Sequence, residues 1–230
     1  MNLMAKKIFL SPSDQTRNAY AYGNTTEAIQ CGKVATALKA ALERCGFEVK
    51  LMHYYTMANK VAASKSWGAD LYIPIHSNAH DGSVSGTRLF CYDFDGEGYK
   101  ACKAVFKYLA PITPGKSENI KEYPGLYEVK YPSAPTVYVE TDFHDNYNAA
   151  KWLVENVEAI AEAICKGVCE YFGYTYKAVE VKEEAVEEDV PDVLYHVQVG
   201  AFRSKANAEA LKAKLEEDGY DTFMKTEKIN

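Results

Sequence analysis

Leu71-Tyr72-Ile73-Pro74-Ile75-His76 is a run of apolar residues that ends in a histidine, and it decides the fold. A short apolar run of this kind suits a strand covered on both faces, as in a parallel sheet between helices. Pro74 is awkward inside such a strand, because it donates no ladder hydrogen bond. Working outward, Lys7–Ser11, Phe47–Met52, Thr87–Tyr92, Leu126–Lys130 and Thr136–Glu140 read as further strands. Helical patterns cover Asn24–Cys45, with Gly46 as the stop, Thr56–Trp67 before Gly68, and Tyr99–Leu109 before Pro111. A long amphipathic helix is expected over Ala149–Phe172, closed by Gly173, and residues 111–125 read as loop. The alternation predicts an α/β domain, a largely parallel sheet flanked by helices, over residues 1–176. In such sheets ligands bind outside the carboxyl ends of the strands.

After this domain the character of the chain changes. Residues 177–193 are acidic, contain a proline and lack aromatics, and read as a solvated linker. From 194 to 230 a strand pattern, Leu194–Gly200, precedes a helix over Asn207–Glu217 and a second strand start at Tyr220–Met224. The predicted architecture is therefore an α/β domain, an acidic linker and a short, truncated α+β segment.

Composition narrows the function. Hydrophobic residues are 47% and charged residues 25% of the 230, enough apolar material for a core of ordinary size. The formal net charge of −6 lacks the basic footprint of a nucleic-acid binder. No apolar run is long enough to insert into a membrane. Met1–Leu10 has no long apolar stretch and no small-residue cleavage site, so synthesis in the cytoplasm without a recognisable signal peptide is expected. Of the six cysteines, Cys31 and Cys45 share one helical pattern and Cys165 and Cys169 another, and they read as small core residues in a reducing compartment rather than as disulfides. A metal clip at Cys165 and Cys169 would lack a second pair at finger-like spacing.

Chemistry-bearing residues gather at strand ends. Asp14 follows the first strand, His76 ends the Leu71 run, Glu140 ends Thr136–Glu140, and Glu27 lies in the first turn of the first helix. A catalytic zinc takes three ligands from His, Asp and Glu and keeps a fourth position open, while a nearby carboxylate moves protons. Each residue also has an ordinary reading. Glu27 stands three residues after Asn24, the spacing of a capping box. Asp14 suits a turn. His76 and Glu140 would also sit at strand ends as plain structure. His53, His80 and His144 are further donors.

The segments IFLSPSD, NTTEAIQCGKVATAL, IHSNAHDG and PTVYVETDFHDN resemble the zinc-dependent N-acetylmuramoyl-L-alanine amidases of the amidase-3 class over residues 7 to about 173. The resemblance implies a metal site with Glu27 and His76 as ligands and Glu140 as general base. It implies hydrolysis of the amide between N-acetylmuramic acid and L-alanine of peptidoglycan by a metal-activated water, with Zn2+ as cofactor and peptidoglycan as partner. One segment departs from the family. Where the family reads D-P-G-H-G, this chain reads Ser11-Pro12-Ser13-Asp14-Gln15. Three outcomes follow: Asp14 is the third ligand in a harder, more anionic site; His144 or His80 takes its place; or the metal is lost and the chain only binds the wall. Tyr20, Tyr22 and Asn78 are candidate substrate contacts, although core packing explains most of the 18 tyrosines as well.

Tyr195–Phe202 (YHVQVGAF) and the helix around Asn207, Ala208 and Leu211 resemble the front half of a SPOR domain, a peptidoglycan-binding βαβ repeat. A second half is expected to be missing. The resemblance implies a cell-wall hydrolase that reaches the wall after release or export, either a host autolysin or a phage endolysin.

Overall fold

A computed structural model describes residues 5–179, 198–217, 219–220 and 222–227. The chain divides into two units, Met1–Val179 and Glu180–Asn230.

In the first unit six strands form one sheet: β1 (Lys7–Pro12), β2 (Glu48–Leu51), β3 (Leu71–Asn78), β4 (Arg88–Cys91), β5 (Asn119–Glu122) and β6 (Tyr138–Phe143). Their spatial order is β2-β1-β3-β6-β4-β5. All neighbours run parallel except β4 and β6, which pair antiparallel with Arg88 opposite Glu140. The central strands β1 and β3 are buried along nearly their whole length, as their apolar runs require. The edge strand β2 alternates exposed Glu48 and Lys50 with half-buried neighbours, charges that blunt an edge.

One face of the sheet is covered by α1 (Glu27–Arg44), α3 (Glu97–Leu109) and α6 (Val157–Phe172), which with β1 and β3 enclose the main core around Leu10, Leu38, Ile73, Val105 and Ile164. The other face carries α2 (Met57–Trp67) and the single turn α4 (Tyr127–Lys130) over two smaller clusters, one around Phe9 and Tyr72 and one around Phe90 and Tyr138. The helix α5 (Tyr147–Glu155) follows β6 directly, capped by the side chain of Asn146.

Three expectations are corrected. Residues 111–125 are not all loop, since β5 lies within them and pairs with β4. Leu126–Lys130 is a helical turn rather than a strand, with the Lys130 amide bonded to the Leu126 carbonyl. The helix expected over Ala149–Phe172 is two helices parted at Asn156, which leaves helical geometry at φ −122°, ψ 30° and bonds the Trp152 carbonyl with its side-chain amide.

In the second unit α7 (Lys205–Glu217) covers the expected helix. Most of the expected linker and Leu194–Val197 lie outside the described residues. Residues 198–200 and 222–227 are described without regular secondary structure, where strand had been expected at 198–200 and 222–224. No described helix is long and apolar enough to cross a membrane.

Candidate active site

The site forms toward the C-terminal ends of β1, β3 and β6, although Glu140, expected to end its strand, is the third residue of β6, which runs on to Phe143. Glu27 is the first residue of α1, yet it does not cap that helix. The N-cap is Thr26, and Asn24 stands at φ 46°, outside any capping box. The Glu27 carboxylate is instead buried at 1% exposure. It accepts hydrogen bonds from Asn18 Nδ2 at 2.7 Å and from His76 Nδ1 at 2.9 Å. His76 enters from β3, where the ladder with β6 shifts register between His76 and Asn78 and re-aims the strand end. Tyr138 stacks on the imidazole at 4.7 Å between ring centroids.

Sequence reasoning missed one member of this group. Glu128, on the turn α4, is 2% exposed and brings its Oε2 to 3.8 Å from His76 Nε2. Its Oε1 accepts from Tyr72 OH at 2.6 Å and from Ser11 Oγ. The signal was present as an acid between Tyr127 and Val129 in an otherwise apolar pattern. A strand reading gave no reason for its burial.

His76 therefore lies between carboxylates. Burial opposes its charge, but Glu128 and Glu27 outweigh burial, and its pKa rises to about 9. Glu140 behaves oppositely. Burial first, with the Glu27 charge adding to it, pushes its carboxyl up to about 7 against the pull of His76 and Arg88. Its Oε2 is buried with no hydrogen-bond partner, and so is His76 Nε2. Glu140 also lines a cavity of about 470 Å3 together with Asn78, Arg88, Phe90, Lys121 and Tyr123.

The other sequence candidates make other contacts. Asp14 is exposed on the loop after β1. His144 is 5% exposed, and its Nδ1 lies 2.9 Å from Ser77 Oγ; Tyr20 stacks on its ring and donates to the same hydroxyl. His80 stands at the surface beside Asp81, 3.1 Å away. Tyr22 meets Tyr147 edge-on and donates to Glu155 at 3.3 Å. His53 Nε2 lies 3.1 Å from the Ser13 carbonyl.

One imidazole among carboxylates is the donor chemistry of a catalytic zinc site, and two buried polar atoms without partners, His76 Nε2 and Glu140 Oε2, fit such a group. Among the described residues, however, no three nitrogen or oxygen donors of His, Asp or Glu lie within 4.8 Å of one another.

Residues 11–170 match the family profile described as N-acetylmuramoyl-L-alanine amidase. The chain belongs to this amidase family. Residues 191–230 match the profile of the SPOR domain. Over 171 residues the amidase chain is 26% identical to N-acetylmuramoyl-L-alanine amidase CwlM of Bacillus licheniformis, covering 74% of this chain and 62% of the relative. It is 23% identical over 227 residues to the sporulation-specific N-acetylmuramoyl-L-alanine amidase of Bacillus subtilis, covering 95% of this chain and 84% of that one. The fold is that of the catalytic domain of CwlV, an N-acetylmuramoyl-L-alanine amidase from Bacillus (Paenibacillus) polymyxa. The TM-score is 0.65 at 16% identity, over 74% of this chain and 99% of that domain.

Proposed function

We propose that this amidase hydrolyses peptidoglycan at the amide between N-acetylmuramic acid and L-alanine, using zinc held by Glu27 and His76 and proton transfer by Glu140. The observation that carries the reading is Glu140, which lines a cavity of about 470 Å3, keeps a buried Oε2 without a hydrogen-bond partner, and has its pKa raised to about 7. A carboxylate poised there takes a proton from water at neutral pH and returns it to the leaving amine nitrogen. Zinc, when bound, supplies Lewis acidity to the scissile carbonyl and acidifies water. Binding it requires His76 to lose a proton, and Asn18, which donates to Glu27, orients that carboxylate.

Two side chains compete for the third ligand position. Asp14 is the family's counterpart by alignment of motifs and would close from its exposed loop. Glu128 already stands 3.8 Å from His76 Nε2. His144 and His80 are weaker candidates, since Ser77 engages the first and Asp81 the second. Asn78 lines the cavity and is the substrate contact of this reading. Tyr20 is spent on holding Ser77, and Tyr22 on Glu155. The domain over 1–176 performs the hydrolysis, the acidic stretch 177–193 tethers, and the SPOR segment 194–230 adds affinity for the wall.

The test incubates the purified chain with peptidoglycan and detects newly freed L-alanine amino groups on released stem peptides. Release that needs bound metal and is abolished in Glu140→Gln supports the reading. Wall binding without release would make the chain a non-catalytic docking module. Metal content of Asp14→Asn and Glu128→Gln assigns the third ligand.

A further inference from the structure

A second group of metal-type donors lies at the far end of α1. Cys45 caps that helix at its C-terminus, and Cys165 and Cys169 stand on successive turns of α6. All three are buried, and their Sγ atoms lie within 4.8 Å of one another. Glu27 opens the same helix, and eighteen residues at 1.5 Å each put it about 27 Å away. This is therefore not the amidase site.

We propose that Cys45, Cys165 and Cys169 bind a soft d10 cation, zinc(II) foremost, as a structural staple joining the end of α1 and the chain after α6 to α6. The inference stands apart from the amidase reading.

Three observations support it. Cys45 Sγ and Cys165 Sγ are 3.7 Å apart. Two thiolates on one zinc, each bonded at about 2.3 Å in tetrahedral geometry, stand about 3.8 Å apart. The second observation is the spacing on α6. Cβ atoms four apart on a helix are separated by about 5–6 Å, too far for the roughly 3.5–4.5 Å of a disulfide, so Cys165 and Cys169 stay side by side as two separate sulfurs.

The third is the neighbourhood of Cys45. The Lys177 amide donates to its Sγ at 3.3 Å, the kind of N–H···S bond that steadies a thiolate. The Lys177 carbonyl oxygen lies 3.9 Å from the same sulfur, at a ligand-to-ligand separation, and can complete a fourth position. Arg44, ion-paired with Glu162 at 2.7 Å, precedes Cys45 in the chain and ties the end of α1 to α6 beside the cluster. Three soft sulfurs select zinc or copper(I) over hard cations. The thiol protons leave to solvent as the ion enters.

The test titrates the reduced, metal-free full chain with cadmium(II), whose thiolate complexes absorb in the ultraviolet by charge transfer. The expected result is a band that saturates at one equivalent and is lost in Cys165→Ser/Cys169→Ser. The band persists in Glu27→Ala/His76→Ala, which removes the donors proposed for the amidase metal. Zinc raises the Tm of the reduced wild type through this site. The volume-matched Cys165→Val, which keeps the core filled, loses that increment while its far-ultraviolet circular dichroism stays native. Cadmium uptake without the band, or a band unchanged in the double serine variant, overturns the proposal. So does a Cys45–Cys165 disulfide in protein purified without oxidant, seen as a loss of two hydrogens in intact mass.

Discussion

Glu27, which opens α1, accepts a 2.9 Å hydrogen bond from His76 at the end of β3, so the first helix and the central strand are tied at the site itself. Glu27→Ala leaves His76 Nδ1 buried without its acceptor. A loss of about 1–3 kcal/mol is expected in urea unfolding of the metal-free protein. With Cys165→Ser/Cys169→Ser added to remove the cysteine site, zinc in the Glu27→Ala protein is expected to fall to background by elemental analysis.

Zinc affinity at this site follows the protonation of His76. The imidazole pKa is about 9, so between that pH and neutrality the ion must displace a proton. Apparent affinity is expected to weaken about tenfold for each pH unit below 9. Chelator competition at several pH values in Cys165→Ser/Cys169→Ser isolates this site. A flat profile would remove the imidazole from the ligand set.

Glu140→Gln keeps the shape of the side chain and removes its basicity. Turnover on peptidoglycan is expected to fall about 10²–10⁴-fold. The wild-type rate should rise with pH through about 7, where the carboxyl ionises, and that limb should vanish in the variant.

Asp70 tests the frame at a distance from the site. Burial raises its pKa, but the Lys7 amide at 2.8 Å and the Lys6 ammonium at 2.9 Å outweigh burial and hold the carboxyl below its ordinary range. A depressed carboxyl stabilises the fold above its unfolded pKa and loses that contribution as pH falls through the folded one. The group is a third exposed, so Asp70→Asn is expected to cost only about 0.5–1 kcal/mol at pH 7. The cost should fade as the wild type is acidified, measured as converging Tm values.

Gly167 lets α6 touch the backbone of α3. A Cβ there would stand 2.4 Å from Val105 Cα and 2.8 Å from the Ala104 carbonyl, and neither backbone atom can move aside alone. Gly167→Ala is expected to destabilise by about 1–3 kcal/mol despite its better helix propensity, read as a lower Tm.

Much of the fold was legible because burial on both faces leaves a plain mark. The apolar runs of β1 and β3, and the Gly stops at Gly68 and Gly173, follow from local rules. The errors fell where local pattern is silent. Residues 119–122 are a strand because β4 offers them a partner, and α4 is a turn because its apolar residues pack on Phe90 and Tyr138. The break at Asn156 lies inside an amphipathic pattern that continues across it.

The residues by themselves determined the layered α/β plan, the motifs at the strand ends, and Glu27, His76 and Glu140 as the residues to examine, since each property is carried by neighbours in the chain. Only the tertiary structure decided that Glu128 stands beside His76, that Asp14 is exposed, that Glu140 is raised toward neutrality, and that Cys45 joins Cys165 and Cys169 across 120 residues of sequence. Contact between distant segments and exclusion from water arise when sheet and helices close around a group, and no window of sequence contains them.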